Sequence, residues 1–146
     1  MSKEISIARN PLTSPEELRK LAKSEDWYVR WGVAENPNVP EDVLTELSED
    51  DEFEVCWAVA RMYKTPADAL TRLAENQNFW VRDAVACNLN TPVYILVKLL
   101  KDTSILVRCA VATNPNLPIN ELVKLLNDES KYVRNVAKEQ IETCRK

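Results

Sequence analysis

The sequence predicts an all-α fold made of tandem helical units, with no β-strands. The chain repeats itself every 26 residues, and five segments align without a gap from Ala8, Ala34, Ala60, Ala86 and Ala112. A fixed period of this length is typical of stacked units, each of which buries its apolar face against its neighbours. The eight prolines and the single glycine favour short helices separated by proline-containing turns over β-hairpins. We therefore expect two short helices in each of five segments.

The first helix of each segment is predicted to begin at a proline, because the fixed φ angle and missing N–H of proline suit a first helical turn. That proline recurs once per segment, at Pro15, Pro40, Pro66, Pro92 and Pro118. Two leucines three residues apart follow in every segment, as Leu18 and Leu21 do in the first. This spacing places one apolar stripe on a helix of about two turns.

The second helix is predicted to follow a polar junction, such as residues 23–26 or 101–104, whose side chains can cap it. Val81, Ala84 and Val85 give an example of its i, i+3, i+4 apolar pattern. The helix is expected to end at the Asn-Pro pair that opens the next segment, because the residue before a proline is disfavoured in the α region.

The last segment carries a family resemblance. Residues 112–118 are Ala-Thr-Asn-Pro-Asn-Leu-Pro, and two leucines three apart and then Tyr132-Val133-Arg134 follow. With the matching columns of the other segments, this run resembles the leucine-rich repeat variant family over about residues 8–138. The resemblance implies alternating α- and 3₁₀-helices wound into a right-handed α-solenoid, similar to HEAT repeats. It implies no cofactor, and the chain departs from it at Cys56, Met62-Tyr63 and Leu89.

We predict a single repeat domain over residues 1–146. Residues 8–137 form the five repeats, and residues 1–7 are expected to be a half-repeat that caps the N-terminal end, because Ile5 aligns with Trp31. Residues 138–146 continue the last helix where an Asn-Pro pair would end it. They are expected to form a C-terminal helical cap with a polar outer face.

Charge and composition restrict the class of partner. The net charge of −4 argues against a nucleic-acid partner, because phosphate binding needs a basic surface. No apolar run approaches the ~20 residues that a membrane-spanning helix needs. Residues 1–5 lack the apolar core of a signal peptide. We therefore expect a cytoplasmic protein with no membrane partner.

No metal site, cofactor or catalytic residue is predicted. The four cysteines lack Cys-x-x-Cys spacing and the chain has no histidine. We expect the cysteines to be reduced and mostly buried, since cysteine often behaves as a small apolar residue; they are Cys56, Cys87, Cys109 and Cys144. A phosphate-binding loop and a nucleophile elbow are also missing, so we expect that the protein is not an enzyme.

An arginine recurs in the second helices, at Arg30, Arg82, Arg108 and Arg134. Six residues before these arginines stand Ser24, Asn76, Asp102 and Asp128. A half-buried guanidinium needs acceptors, and a carboxylate matches its geometry. We expect a structural ladder in which the side chain six residues earlier holds each arginine, rather than an anion-binding row. The second segment interrupts the ladder, because Cys56 stands in place of the arginine although Asp50 is present.

Aromatic residues occupy two columns, four residues apart, on successive second helices, at Trp27, Trp31, Phe53, Trp57 and Phe79. Residues four apart share one helix face. Two interpretations remain open. The rings either fill the space between helices, at about 2 kcal/mol each, or serve as exposed anchors for a partner. Later segments lack aromatic residues in these columns, so a partner site would lie in the first three segments.

The stretch from Glu41 to Glu54 contains eight acidic residues and neither lysine nor arginine. Asp51 and Glu54 lie beside the aromatic columns. Such a stretch is either a solvated face that keeps the chain soluble or a negative rim for a basic peptide.

These patterns favour a non-enzymatic scaffold that binds a protein or peptide, with a basic partner preferred, through the inner surface of repeats one to three. The candidate contacts are Trp27, Trp31, Phe53, Trp57, Phe79, Asp51 and Glu54. Two alternatives remain. One is an enzyme of the helical-repeat DNA glycosylase type, using Trp57 with Asp51 or Asp83, which the acidic charge disfavours. The other is a structural array that self-associates through its aromatic residues.

Overall fold

The computed structural model describes residues 3–144, and along that part of the chain it contains helices and no strand. Residues 1, 2, 145 and 146, which belong to the two predicted caps, lie outside the described residues, as does the side chain of Cys144. The helices are α1 (Lys3–Ala8), α2 (Pro15–Leu21), α3 (Trp27–Ala34), α4 (Glu41–Leu47), α5 (Phe53–Arg61), α6 (Ala67–Leu73), α7 (Phe79–Cys87), α8 (Val93–Leu99), α9 (Ile105–Thr113), α10 (Ile119–Leu122), a 3₁₀ helix (Val123–Asn127) and α11 (Lys131–Cys144).

The second helices of the five segments are α3, α5, α7, α9 and α11. Their first residues are spaced by 26 positions, as in the sequence pattern. Each packs on the next in chain order, α3 on α5, α5 on α7, α7 on α9 and α9 on α11. The shorter first helices, α2, α4, α6 and α8, pack against the second helices and cover one side of them. The five second helices therefore form one continuous layer.

The apolar core lies between these two sets of helices. The leucine pairs and the valines of the sequence pattern are buried in every segment, which confirms their predicted place in the core. Leu18, Leu44, Leu70 and Leu96 are fully buried at one level, and Val29, Val55 and Val81 face them. Burial of each such side chain contributes about 2 kcal/mol relative to exposure.

The expected 3₁₀ helix is found in the fifth segment only, at Val123–Asn127, among the described residues. The first helices of the other four segments are α-helices of seven residues. In each of these four, the residue after the helix donates its N–H to the carbonyl four residues earlier, as Ala22 does to Leu18 at 2.9 Å. That bond closes an α turn, so the implied alternation of helix types is wrong for segments one to four.

Asparagines in the turns between segments tie each turn to an earlier one. The Asn36 side chain donates from Nδ2 to the carbonyls of Ala8 at 2.6 Å and Asn10 at 2.9 Å. Asn88 and Asn114 make the same pair of bonds to carbonyls 28 and 26 residues earlier. The carbonyls of Ala8, Ala60 and Ala86 thereby gain a hydrogen-bond donor. Those of Asn10, Met62 and Asn88 also accept a backbone N–H within their own turn.

Candidate functional site

Buried arginines and aspartates join successive second helices and support the candidate surface. Arg108 donates from Nε and Nη2 to the two carboxylate oxygens of Asp128, at 2.8 and 3.0 Å. Arg30 makes the same two-pronged contact with Asp50, and Arg82 makes it with Asp102. We call these three pairs the arginine–aspartate ladder. In each pair the aspartate lies twenty residues after the arginine, in the junction of the next segment.

The predicted ladder contains the right residues at Arg30, Arg82, Arg108, Asp102 and Asp128, but the predicted side-chain pairing over six residues is wrong, and Arg134 contacts no carboxylate among the described residues. The residue six positions earlier accepts through its backbone carbonyl, as Asp102 does from Arg108 Nη1 at 2.7 Å. The Asp102 carboxylate instead accepts from Arg82 of the preceding segment. It also accepts the Ser104 N–H of its own junction at 2.8 Å. Arg134 donates only to the carbonyls of Asp128 and Glu129.

The ladder is interrupted after the second segment, where two neutral residues, Cys56 and Asn76, replace the arginine and the aspartate. The position twenty residues after Cys56 is Asn76, where the other pairs have an aspartate. The Cys56 thiol lies 3.2 Å from the carbonyl of Asp50, the place that an arginine Nη1 takes elsewhere. Loss of the cation in one segment thus coincides with loss of the carboxylate in the next, so no buried charge is left alone.

These contacts shift the pKa values of the arginine, aspartate and cysteine side chains. The hydrogen bond that Arg108 donates to Asp128 raises the pKa of the Arg108 guanidinium. Burial acts to raise the pKa of Asp102, but hydrogen bonds from Arg82 and from the Ser104 backbone together hold it below the ordinary 3.8. Burial, assisted by the negative charge of Asp50, raises the pKa of Cys56 to about 11. The Arg82–Asp102 and Arg108–Asp128 pairs are therefore charged at neutral pH, and the Cys56 thiol is protonated.

The aromatic columns are neither fully buried nor fully exposed. Trp27 and Phe53 keep 37% and 40% of their surface exposed. Trp31, Trp57 and Phe79 are half-buried and pack against the core. The rings are therefore partly packed and partly exposed, and the choice between the two interpretations stays open.

Two open cavities lie along this surface. The first, the α3–α5 cavity, has a volume of about 150 Å³ and is lined by Trp27, Tyr28, Trp31, Glu54 and Trp57. The second, the α5–α7 cavity, has a volume of about 240 Å³ and is lined by Phe53, Glu54, Trp57 and Trp80. Glu54 and Trp57 form the wall that the two cavities share. Of the candidate residues, Phe79 and Asp51 line neither cavity.

Three tryptophans, one tyrosine and one glutamate thus converge on the α3–α5 cavity from two helices. Tyr28 packs on Trp27 with ring centroids 5.5 Å apart and on Trp31 at 5.0 Å. The α3 helix begins at Trp27 because the Asp26 carboxylate caps it, accepting the Tyr28 N–H at 2.9 Å. The cap sets the start of the helix and so the face on which these rings project.

Two arginines of the chain already stack on these rings. The guanidinium carbon of Arg9 lies 4.4 Å from the ring centroid of Trp31, and that of Arg61 lies 4.4 Å from the centroid of Trp57. The chain's single glycine makes room for the first of these contacts, since a Cβ at Gly32 would lie 3.3 Å from Cγ of Arg9. The rings therefore accept cations within the fold itself.

The sequence interpretation missed part of the apolar surface. One position after the first aromatic column, Trp80, Leu106 and Tyr132 are exposed by 49%, 49% and 78%. The two named columns lack aromatic residues in the last two segments, as expected, but the adjacent column carries exposed apolar residues into both of them. A helix position next to an aromatic column presents its side chain on a neighbouring face, and comparison of that adjacent column would have found these residues.

The acidic stretch divides into paired and unpaired residues. Asp42, Glu49 and Asp50 pair with Arg19, Arg72 and Arg30. No ion pair of the described residues involves Asp51, Glu52 or Glu54. Glu41 and Glu46 are likewise in no ion pair of the described residues. Of these five unpaired residues, Glu54 lines both cavities.

The cysteines differ from one another in exposure. Cys56 is buried, Cys109 is half-buried and Cys87 is exposed, and all three are free thiols. The expectation of mostly buried cysteines is wrong for Cys87, because it is the last residue of α7 and lies outside the apolar stripe of that helix. Burial and the nearby Asp83 raise the pKa of the Cys87 thiol.

Comparisons with protein-family models and with curated proteins find no match for this chain. Within residues 3–144, histidine, cysteine, aspartate and glutamate side chains nowhere form a group of three or more that could hold a metal ion. No helix in that range combines the length and the apolar character needed to cross a bilayer.

Proposed function

We propose that the chain is a right-handed α-solenoid of five 26-residue repeats, of the leucine-rich repeat variant type. Second helices that start at 26-residue intervals and pack on one another in chain order support this assignment. The ladder and the asparagine bonds support it as well, because each recurs between the same two positions of adjacent segments. Stacked repeats of this kind present an extended surface, which commonly serves to bind other macromolecules.

We further propose that the chain binds a protein or peptide segment through the exposed surface of its second helices. The observation that carries this proposal is the pair of adjoining aromatic cavities. Aromatic side chains that remain open to solvent in a cavity are typical anchors of a binding surface. Glu54, an unpaired carboxylate in the lining of both cavities, and the unpaired Asp51 and Glu52 just before α5 favour a basic segment.

Selection from a random peptide library displayed on phage tests this function. We expect peptides to be enriched on the wild-type chain and to lose at least about tenfold in affinity on a Trp27→Ala/Trp57→Ala variant, since anchor residues at an interface contribute about 2 kcal/mol or more each. Tyr94→Ala is the matched control, because Tyr94 is an exposed aromatic residue on the first helix α8. Equal binding of the enriched peptides by all three proteins would contradict the proposal.

Two further measurements on the same proteins exclude the alternatives. Retention on duplex DNA at low salt is expected to be absent, because the chain carries a net charge of −4. Sedimentation at high protein concentration is expected to give a monomer. A dimer that disappears in the Trp27→Ala/Trp57→Ala variant would instead show that the surface pairs with itself.

A further inference from the structure

The size of the α3–α5 cavity suits the end of a single side chain. Its volume of about 150 Å³ is well below the range of about 300–1,000 Å³ that is typical of sites for whole small molecules. It opens to solvent between two parallel rows of side chains, so a protein segment passing over the second helices could insert one residue into it. A peptide backbone or a nucleotide would not fit.

The walls of the cavity favour a cation. Trp27, Tyr28, Trp31 and Trp57 supply four aromatic rings, and the face of an aromatic ring carries negative electrostatic potential. Arg9 and Arg61 already show this attraction within the chain, each with its guanidinium 4.4 Å from a tryptophan centroid. A neutral apolar side chain would gain burial alone, whereas a cation gains the ring interaction as well.

The charge around the cavity is complementary to a cation. Glu54 lines the cavity, and Asp51 and Glu52 are exposed in the turn just before α5. None of the three makes an ion pair. A cation that enters the cavity therefore approaches Glu54, a carboxylate that is in no ion pair of the described residues, in a site with less screening than open solvent. The cations already nearby are Arg9 and Arg61, which stack on Trp31 and Trp57, and Arg30, whose pKa is raised by its hydrogen bond to Asp50 and in part by the charges of Glu52 and Asp51.

The inner surface of the cavity discriminates among cations. No polar atom of the lining residues faces it. A lysine ammonium would bring three N–H donors and an arginine guanidinium five, and donors left without acceptors are costly to bury. Methylation of lysine removes those donors and keeps the positive charge. We propose that the α3–α5 cavity binds a trimethylated lysine side chain of a protein segment, an inference that rests on the peptide-binding function proposed above.

Three matched peptides test this assignment on the full chain. The sequence Gly-Ser-X-Ser-Gly, with blocked ends, carries at X either trimethyllysine, lysine, or the neutral analogue in which a tert-butyl group replaces the trimethylammonium. Binding is followed by NMR through the indole N–H signals of the four tryptophans. We expect the trimethyllysine peptide to shift the signals of Trp27, Trp31 and Trp57. We expect it to bind about tenfold more tightly than either of the other peptides, which corresponds to about 1.4 kcal/mol.

Variants identify the cavity as the site of binding. Glu54→Gln removes only the charge and is expected to weaken binding of the trimethyllysine peptide several-fold without changing binding of the neutral analogue. Trp57→Ala is expected to abolish binding, and Tyr94→Ala is expected to leave it unchanged. If circular dichroism shows that Trp57→Ala is unfolded, the peptide series and the Glu54→Gln variant still decide the question.

Two results would overturn the proposal. One is equal affinity for the trimethyllysine peptide and its neutral analogue, which would make the cavity a general apolar site. The other is the absence of indole shifts up to about 10 mM peptide, where even a weak site with a free energy near −4 kcal/mol would be filled. If display selects peptides that lack a cation yet depend on Trp27 and Trp57, the proposed function stands and the trimethyllysine assignment fails. A displayed library contains no trimethyllysine, so both proposals fail if display selects nothing and the trimethyllysine peptide also causes no indole shift.

Discussion

The guanidinium of Arg108 is held by groups from two segments. Asp128 accepts from Nε and Nη2, while the carbonyls of Asp102 and Thr103 accept from Nη1. The Arg108 and Asp128 side chains are only 5% and 7% exposed. Removal of one member of such a pair leaves the other charge buried without compensation, and this costs more free energy than the intact pair contributes.

Arg108→Ala is therefore expected to lower the free energy of unfolding by about 3 kcal/mol or more. The measurement is urea-induced unfolding followed by circular dichroism. Arg134→Ala is the matched control, because Arg134 occupies the same helix position but donates only to backbone carbonyls. We expect that control to lose about 1 kcal/mol. Equal losses in the two variants would show that the carboxylate contact is energetically unimportant.

At the scale of the element, each junction between a first and a second helix joins two segments. The Asp102 carboxylate accepts from the Ser104 N–H at the start of α9 and from Arg82 on α7. One side chain thus sets where a helix begins and how it docks on the preceding helix. The Asn76 side chain also caps its own junction, since it accepts the Asn78 N–H at 2.9 Å. It faces Cys56 rather than an arginine twenty residues earlier in the chain.

Substitution of Cys56 and Asn76 can introduce the arginine–aspartate pair that the second segment lacks. Cys56→Arg alone places a cation in a buried position without a carboxylate, and Asn76→Asp alone buries an unpaired carboxylate, so each change is expected to destabilise the chain. The double variant Cys56→Arg/Asn76→Asp is expected to recover stability, with a favourable coupling free energy of about 1–3 kcal/mol in a double-mutant cycle of urea unfolding. Additive effects of the two changes would mean that these two positions do not meet.

The sequence was sufficient to predict the helices, the core and the arginine column, but not the partners of the arginines. Asp102 lies six residues before Arg108 and twenty residues after Arg82. The sequence pattern therefore makes Asp102 a possible partner of either arginine. Which arginine receives the carboxylate depends on the three-dimensional stacking of helices. The cavities could not be predicted from the sequence either. The positions of Trp31 and Trp57 in the repeat do not determine how much of each ring the neighbouring side chains cover.

At the scale of the whole molecule, the major helix contacts join elements that are close in the chain. Each second helix packs on the one before it and the one after it, and the first helices pack on neighbouring elements. Stability in such an arrangement is a sum of local terms and nearest-neighbour terms. A segment can then be removed without loss of any distant contact, provided that the two new neighbours fit each other.

Two deletions of equal length are expected to differ for this reason. Removal of residues 86–111 sets Asp128 twenty residues after Arg82 and restores a charged pair. Removal of residues 60–85 instead sets Asp102 twenty residues after Cys56 and leaves a buried carboxylate without a cation. We expect the first variant to unfold at a urea concentration close to that of the parent chain, and the second to be less stable by about 3 kcal/mol. Indistinguishable unfolding curves would contradict this expectation.

The twenty-residue pairing therefore acts as a compatibility rule between adjacent segments. A segment whose second helix carries arginine can be followed by one whose junction carries aspartate, and the segment with Cys56 can be followed by the one with Asn76. We expect a gain or loss of whole segments to preserve stability in orders that obey this rule. The interior charges would thus limit which orders of segments give a stable chain, although none of the ladder residues lines either aromatic cavity.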